Sequence, residues 1–355
     1  MTKLGPSLTQ TEFAQFQAAT AQHLSFSLTL ACPLRCAHCM VATISPREAT
    51  SATLPTETAI RFAAEMPDLW REGIRKISFT GGEPLLAREP LAVLSEAAQA
   101  AGIASTVVTA CHWAKTPKVA ARMIARFPGI SDWHISTDIY HADFLPPEHV
   151  VYAAEAVAAA NKTVLVRMAV SRDPSAEETQ LVAWLERHVP RGTKFALQPV
   201  SPVGRAVEIG IAPENSKSDE APVTPCLTTG PLIRHDGTLL PCCSGLSDQP
   251  QISPFATIDA SRSGLVAAVR LWRDDPLLQL VRTVGFGFPA QWAHERLGSA
   301  PVSPAPSHPC DFCTALWSNA DARAAARDMT TRTDVRDHIN QLHDHVFSSQ
   351  RSHSR

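Results

Sequence analysis

No apolar run in this 355-residue chain approaches the roughly 20 residues that a membrane-spanning helix requires. The opening stretch MTKLGPSLTQTEFAQF lacks the apolar core of a secretory signal. Charge of one sign is also scarce: 32 Lys and Arg stand against 34 Asp and Glu, a formal net charge of -2. Nothing in that balance draws the chain to nucleic acid or to an acidic membrane surface. Beyond an alternation of strand-like and helix-like segments, no internal repeat is present. With 45% apolar and 19% charged residues, the composition is that of a soluble globular protein with a substantial core. The expectation is a cytoplasmic protein. One further absence is local. LACPLRCAHCM carries Cys32, Cys36 and Cys39, and the next cysteine is Cys111, so the trio has no fourth thiol nearby.

The chain has nine cysteines, at positions 32, 36, 39, 111, 226, 242, 243, 310 and 313. A reducing compartment disfavours structural disulfides, so clustered cysteines read first as metal ligands or catalytic thiols.

From residue 24 to 200 the pattern alternates. Strands are expected at 24–30, 74–80, 105–110, 133–138, 163–170 and 194–200. Helices are expected at 56–73, with Thr56 as N-cap and Gly73 as stop, and at 87–101, 117–127, 148–161 and 175–189. Six βα units of this kind predict a parallel α/β sheet with right-handed crossovers. A closed eight-fold barrel needs about 250 residues, so an open, partial (β/α)6 TIM-like barrel is expected. The boundaries read as an N-terminal extension at 1–23, the barrel at 24–206, a small C-terminal region at 207–348 and a frayed tail at 349–355. The C-terminal region is loop-rich, with a Pro/Ser connector at 298–309 and one or two surface helices within 314–348. It reads as too irregular to be held by core burial alone.

Cys32, Cys36 and Cys39 follow the first strand, on the face where parallel βα folds place their active sites. Thiolates select zinc, copper(I) or iron-sulfur clusters. A structural zinc closes its tetrahedron with a fourth ligand. His38 could supply one, but its neighbour Cys39 is already committed. A 4Fe-4S cube held by three thiolates leaves one iron open, and an open iron is a reaction site. The spacing C-x3-C-x2-C after the first strand resembles the radical S-adenosylmethionine (radical SAM) enzymes, and His38 fits the aromatic or imidazole position before their third cysteine. The resemblance implies that SAM chelates the open iron and is reductively cleaved to a 5'-deoxyadenosyl radical, which abstracts hydrogen from a substrate C–H bond.

TGGEPLL, ending the second strand, is similar to the GGEP motif of that family, which implies that Gly81, Gly82, Glu83 and Pro84 line the SAM amino group. Two glycines allow close backbone approach, and Glu83 can accept from an ammonium. At the third strand end Thr109-Ala110-Cys111 stands where relatives have Thr-Asn-Gly, so no asparagine contact carries over. Ser136 and Asp138 lie two apart on the fourth strand, facing one side; they are candidates for the SAM ribose or carboxylate, or for the substrate. Arg167 could pair with the SAM carboxylate. Gly204 resembles the sixth-strand turn that passes the adenosine. Asp138, Tyr140 and His141 are positional candidates for a general base, and Cys111 for a thiol that returns a hydrogen atom to a substrate radical.

The segment 227–241 reads as a β-hairpin with His235-Asp236-Gly237 as its turn, which would bring Cys226 to Cys242. Together with Cys310 and Cys313 these make four thiolates, enough for a closed zinc or a fully ligated 4Fe-4S cluster. The spacing around Gly237 resembles the start of a SPASM domain, and the small number of remaining cysteines its one-cluster twitch form. That implies an auxiliary 4Fe-4S cluster, with Cys243 as an alternative to Cys242.

The expected function is a radical SAM enzyme that matures a ribosomally made peptide or peptide-derived cofactor. The alternatives are a sugar or aminocyclitol dehydrogenase or epimerase and, in a different class, a non-catalytic iron-sulfur or zinc protein. The expected partners are the peptide or small-molecule substrate, an electron donor such as flavodoxin or ferredoxin, and a separate peptide-recognition protein, since 23 residues before the first strand are few for a leader-binding domain. No nucleic acid and no membrane are expected.

Overall fold

In the computed structural model the described residues are 10–48, 51–211, 225–228, 230–242, 246, 249–306 and 308–351. Nine strands among them form one sheet: β1 (His23–Ser27), β2 (Lys76–Thr80), β3 (Ala104–Thr109), β4 (Asp132–Ser136), β5 (Thr163–Val170), β6 (Lys194–Pro199), β7 (Leu232–Ile233), β8 (Thr238–Leu240) and β9 (Ile258–Asp259). The order is β6-β5-β4-β3-β2-β1-β7-β8-β9. The first six strands pair in parallel in chain order, each linked to the next through helix. This is the expected α/β sheet of six parallel strands.

Alternation along the strands decides the two faces. One row is apolar and buried: Leu24 and Phe26, Ile77 and Phe79, Trp133 and Ile135. It packs on the helices, as Phe26 does on Phe62 at 6.2 Å between ring centroids. The other row is polar, and the register sets Ser25 beside Ser78, Ser27 beside Thr80, Ser78 beside Thr106 and Ser136 beside Arg167. An alternation of period two sets this polar row on the face opposite the apolar one. Helix starts are locally encoded: Thr116 caps Pro117–Arg126, and Ser175 with Glu178 forms a capping box on Ala176–His188. Each cap is worth about 1 kcal/mol.

Several sequence expectations are corrected. The first helix is two, Thr56–Ala64 and Met66–Arg71, because Pro67 lies in the first turn of the second and cannot donate into the helix ladder. Thr56 is the first helical residue of Thr56–Ala64, which is preceded by an extended Pro55. β1 stops at Ser27, after which the chain leaves the sheet through the single bridges Thr29–Thr53 and Ala31–Ile44. The hairpin forms as β7 and β8, turning at Gly237 with φ 84°. Its β7 also pairs in parallel with β1, so it extends the main sheet.

The C-terminal region departs most from expectation. It is mainly helical: Leu265–Arg273, Pro276–Thr283, Gly287–Leu297, Pro309–Ser318, Ala320–Thr331 and Thr333–Arg351. Leu265, Val269, Trp272, Leu278, Phe312 and Trp317 are buried in the same core cluster as the barrel strands. The helical spacing Leu265, Val269, Trp272 carries that burial, so irregularity does not describe this segment. The Glu65 carboxylate, from the barrel side, accepts from the backbone N–H of Leu265 and Val266 at 3.0 Å each and caps the helix across the junction. Among the described residues no helix is long and apolar enough to cross a membrane.

Candidate metal centre

The loop after β1 carries Cys32, Cys36 and Cys39, none of them in a disulfide. Its backbone is pinned from three sides. Cys32 N–H donates to Ile44 O at 3.0 Å, and Cys39 N–H to Cys36 O at 3.2 Å. From the end of β6, Arg205 donates through Nε to Cys36 O at 3.1 Å, through Nη1 to Thr43 Oγ1 at 3.2 Å, and through its backbone N–H to Cys39 O at 3.0 Å. Burial pushes the Cys32 thiol up to about 12, with Glu83 and the other two thiols adding to the effect and a backbone hydrogen bond at Leu34 opposing it. A thiol so placed keeps its proton unless a metal displaces it.

Gly81, Gly82 and Glu83 stand against this loop. Gly82 N–H donates to Thr29 O at 2.6 Å and Glu83 N–H to Ala31 O at 2.8 Å. A Cβ on Gly82 would come within 2.3 Å of Ala31 O, and one on Gly81 within 2.5 Å of Thr29 O. The glycines are therefore required where the second-strand loop meets the backbone of the cysteine loop. Glu83 is buried, and its carboxylate accepts from Leu85 N–H, Thr109 Oγ1 and Ala110 N–H at 2.9–3.1 Å. It welds the ends of β2 and β3, and Pro84 starts the short 3-10 turn Pro84–Leu86 behind it. Alanine at Gly82 would collide with a carbonyl that cannot rotate away. The expected result is a loss of about 1–3 kcal/mol of stability and reduced iron uptake after anaerobic reconstitution, both measurable on one sample by thermal denaturation and iron assay.

Asp138 is likewise engaged. Its carboxylate accepts from His141 N–H at 3.0 Å, meets His141 Nδ1 at 2.8 Å, and lies 3.3 Å from His38 Nε2. Tyr140 stacks on the His38 ring at 4.6 Å. Burial works against the Asp138 carboxylate, but the two histidines hold it below its usual value. Burial also works against His141, yet Asp138 and the Cys36 sulfur, to which its ring hydrogen-bonds, carry it to about 10. Burial depresses His38, whose Nδ1 is enclosed without a partner. The donor atoms of His38, Asp138 and His141 lie within 4.8 Å of one another, a spacing able to hold an ion. Each imidazole is already turned to the carboxylate, so the group is a clamp between the β4 end and the cysteine loop.

The remaining candidates fall in different places. Ser136 and Arg167 are neighbours in register on the polar face, and Arg167 Nη2 donates to Gln198 Oε1 at 2.6 Å. Gly204, with φ 58°, packs under the cysteine loop, where a Cβ would meet Cys39 O at 2.5 Å. Cys111 is 0% exposed and sits in the hydrophobic core. Its backbone φ of 60° lies in the left-handed region that favours glycine. Arg205 goes unmarked in the sequence; its only signal is its position directly after Gly204.

The four later cysteines converge. Cys226, Cys242, Cys310 and Cys313 line one pocket closed by Phe255 and Phe286. Burial raises the Cys313 thiol well above its ordinary value, and the neighbouring Cys226, Cys242 and Cys310 add to it. The hairpin delivers Cys242, and the start of Pro309–Ser318 delivers the last two, with His308 capping that helix at Cys310 N–H. Cys243 lies outside the described residues.

Three thiols on one pinned loop, with an unpartnered imidazole nitrogen beside them, fit a cluster held by three protein ligands. Four thiols around one buried pocket fit a group held by four. Residues 26–169 match the family described as Radical SAM superfamily. The chain is 33% identical over 121 residues to a GTP 3',8-cyclase of Geobacter sulfurreducens, covering 34% of this chain and 35% of that one. It is 36% identical over 74 residues to molybdenum cofactor biosynthesis protein 1 of Drosophila melanogaster, covering 21% and 13%. The chain thus spans about a third or less of the curated relatives it matches. Among solved structures, BtrN in complex with AdoMet and 2-DOIA overlays with a TM-score of 0.42 at 11% identity, covering 76% of this chain and 89% of that one. Histidine-tagged anSMEcpe with bound AdoMet also gives 0.42 at 11%, covering 90% and 98%.

Proposed function

We propose, for a chain that carries a Radical SAM superfamily domain over residues 26–169, an enzyme that reductively cleaves SAM and abstracts hydrogen from a substrate C–H bond. The observation that carries this reading is the contact between the cysteine loop and the Gly81-Gly82-Glu83 loop, which couples a three-thiol site to the backbone expected to bind the cofactor. When bound, the 4Fe-4S cluster and SAM supply the electron and the 5'-deoxyadenosyl radical. The chain's own part is positional. Cys32, Cys36 and Cys39 would hold the cluster; Arg205 and the Asp138 clamp fix the loop that bears them. Glu83, saturated by its own neighbours, shapes the loop, so its motif would serve the SAM amino group through backbone carbonyls. Ser136 and Arg167 on the polar face would meet the SAM carboxylate, its ribose or the substrate.

Cys226, Cys242, Cys310 and Cys313 would hold an auxiliary 4Fe-4S cluster of the twitch kind. Their shared pocket supports this reading. A ribosomally made peptide is the first substrate reading, with flavodoxin or ferredoxin as electron donor, a separate peptide-recognition protein and a reducing cytoplasm as the setting. A small hydroxylated molecule is the second reading, favoured by the hydroxyl-rich inner face of Ser25, Ser27, Ser78, Thr80 and Thr106. GTP, the substrate named for one relative, is the comparison.

The test is anaerobic incubation of reconstituted chain with SAM and dithionite, following 5'-deoxyadenosine. It should form. A peptide should stimulate it most if the first substrate reading holds, and a sugar or aminocyclitol alone should do so if the second does. No 5'-deoxyadenosine with any of them would refute the activity.

A further inference from the structure

The helix Pro276–Thr283 buries a cation beside the four-cysteine pocket. Arg282 is 7% exposed. Its Nε donates to Gln17 Oε1 at 3.0 Å, and its Nη2 donates to Gln17 O at 3.2 Å and Thr20 Oγ1 at 3.1 Å, all on the N-terminal helix Gln10–Ala21. The guanidinium lies 4.7 Å over the Trp272 ring. Every one of these partners is neutral. Among the described residues no carboxylate pairs with Arg282, and the charged groups that act on it are another cation, Arg273, and the sulfur of Cys226. Gln17 joins the two, since its Nε2 donates to Cys226 O at 2.8 Å.

A buried guanidinium without a counter-charge costs several kcal/mol. A protonated Cys226 would not neutralise it, whereas a metal-bound thiolate would. The indole N–H of Trp317, one helical turn beyond Cys313, is buried without a hydrogen-bond partner and acts on Cys313 in the direction that favours its thiolate. A fixed charge and a fixed N–H dipole thus both address the pocket with the sign that favours negative charge inside it.

We propose that Arg282 is the built-in counter-cation of the four-cysteine centre and that, with the Trp317 N–H, it raises that centre's reduction potential. This rests on the reading of the centre as an iron-sulfur cluster. A reduced cluster carries one more negative charge than an oxidised one, so a nearby buried cation stabilises the reduced form preferentially. Cluster potentials follow local charge, hydrogen bonds to sulfur and exposure, and low dielectric enlarges the first of these.

The experiment is an EPR redox titration of the reconstituted full chain and of its R282Q, R282K and W317F variants, after iron and zinc are counted. The unmodified chain should hold about eight irons, as two 4Fe-4S clusters require. R282Q should lower the auxiliary potential by about 59 mV, a tenfold change in a one-electron equilibrium. R282K keeps the charge and should restore most of that shift, which a purely structural role would not predict. W317F should shift the potential the same way by less. The cluster on Cys32, Cys36 and Cys39 should be unmoved and serves as the internal reference. An auxiliary potential unchanged in R282Q with iron retained would overturn the proposal. Should R282Q lose its auxiliary iron, an unchanged potential in W317F together with a drop of about 59 mV or more in R282K would overturn it. About four irons, or zinc, in the unmodified chain would overturn the auxiliary-cluster reading itself, a result distinct from failure of the Arg282 effect.

Discussion

Replacing Cys36 with alanine should reduce 5'-deoxyadenosine formation to background, a loss on the order of a thousandfold or more. Cys36 is the most buried of the three thiols, with Arg205 on its carbonyl and His141 on its sulfur. Two thiolates cannot hold three irons of a cube, and Cys111, the next cysteine in the chain, is enclosed in the core. The fold itself should survive, since the sheet and its apolar face do not depend on the loop. Circular dichroism should therefore be unchanged while the iron of this site is lost. A Cys36→Ala chain that still cleaved SAM at the parental rate would remove the trio from the chemistry.

The double variant Cys226→Ser, Cys313→Ser should lose about half the bound iron, from roughly eight to four atoms per chain, while retaining the cluster on the trio. Activity on substrate should fall much further than substrate-independent SAM cleavage. The loss of stability should be limited, because Leu278, Phe286, Phe312 and Trp317 pack around the pocket and join the main core without help from a metal. Were the C-terminal region as irregular as its sequence suggests, removing two ligands would unfold it. The packing predicts instead a lowered thermal midpoint with a cooperative transition. Iron content, EPR signal intensity and the melting curve together check this.

Much of the fold is legible from sequence for a physical reason. Strands such as Trp133-His134-Ile135-Ser136 alternate with period two, so one face declares itself apolar. The cysteine pairs that the hairpin and the CDFC segment suggest would meet do line one pocket. What sequence does not supply is contact at long range. Gly81 and Gly82 read as room for a ligand, yet the backbone that demands their lack of Cβ is that of Thr29 and Ala31, about fifty residues away. Asp138 reads as a ligand contact, but His38 and His141 occupy its carboxylate. Arg205 reaches across 169 positions to Cys36, a distance over which spacing carries no signal. The helices between 265 and 297 are hard to see in the sequence because proline- and serine-rich segments on either side set the apparent texture of the whole region.

The most direct measurement is low-temperature EPR of the reduced, anaerobically reconstituted chain before and after SAM is added. The account predicts a 4Fe-4S signal that depends on Cys32, Cys36 and Cys39 and changes its g-values when SAM binds the iron without a protein ligand. Zinc at that trio, or a signal indifferent to SAM, would contradict it.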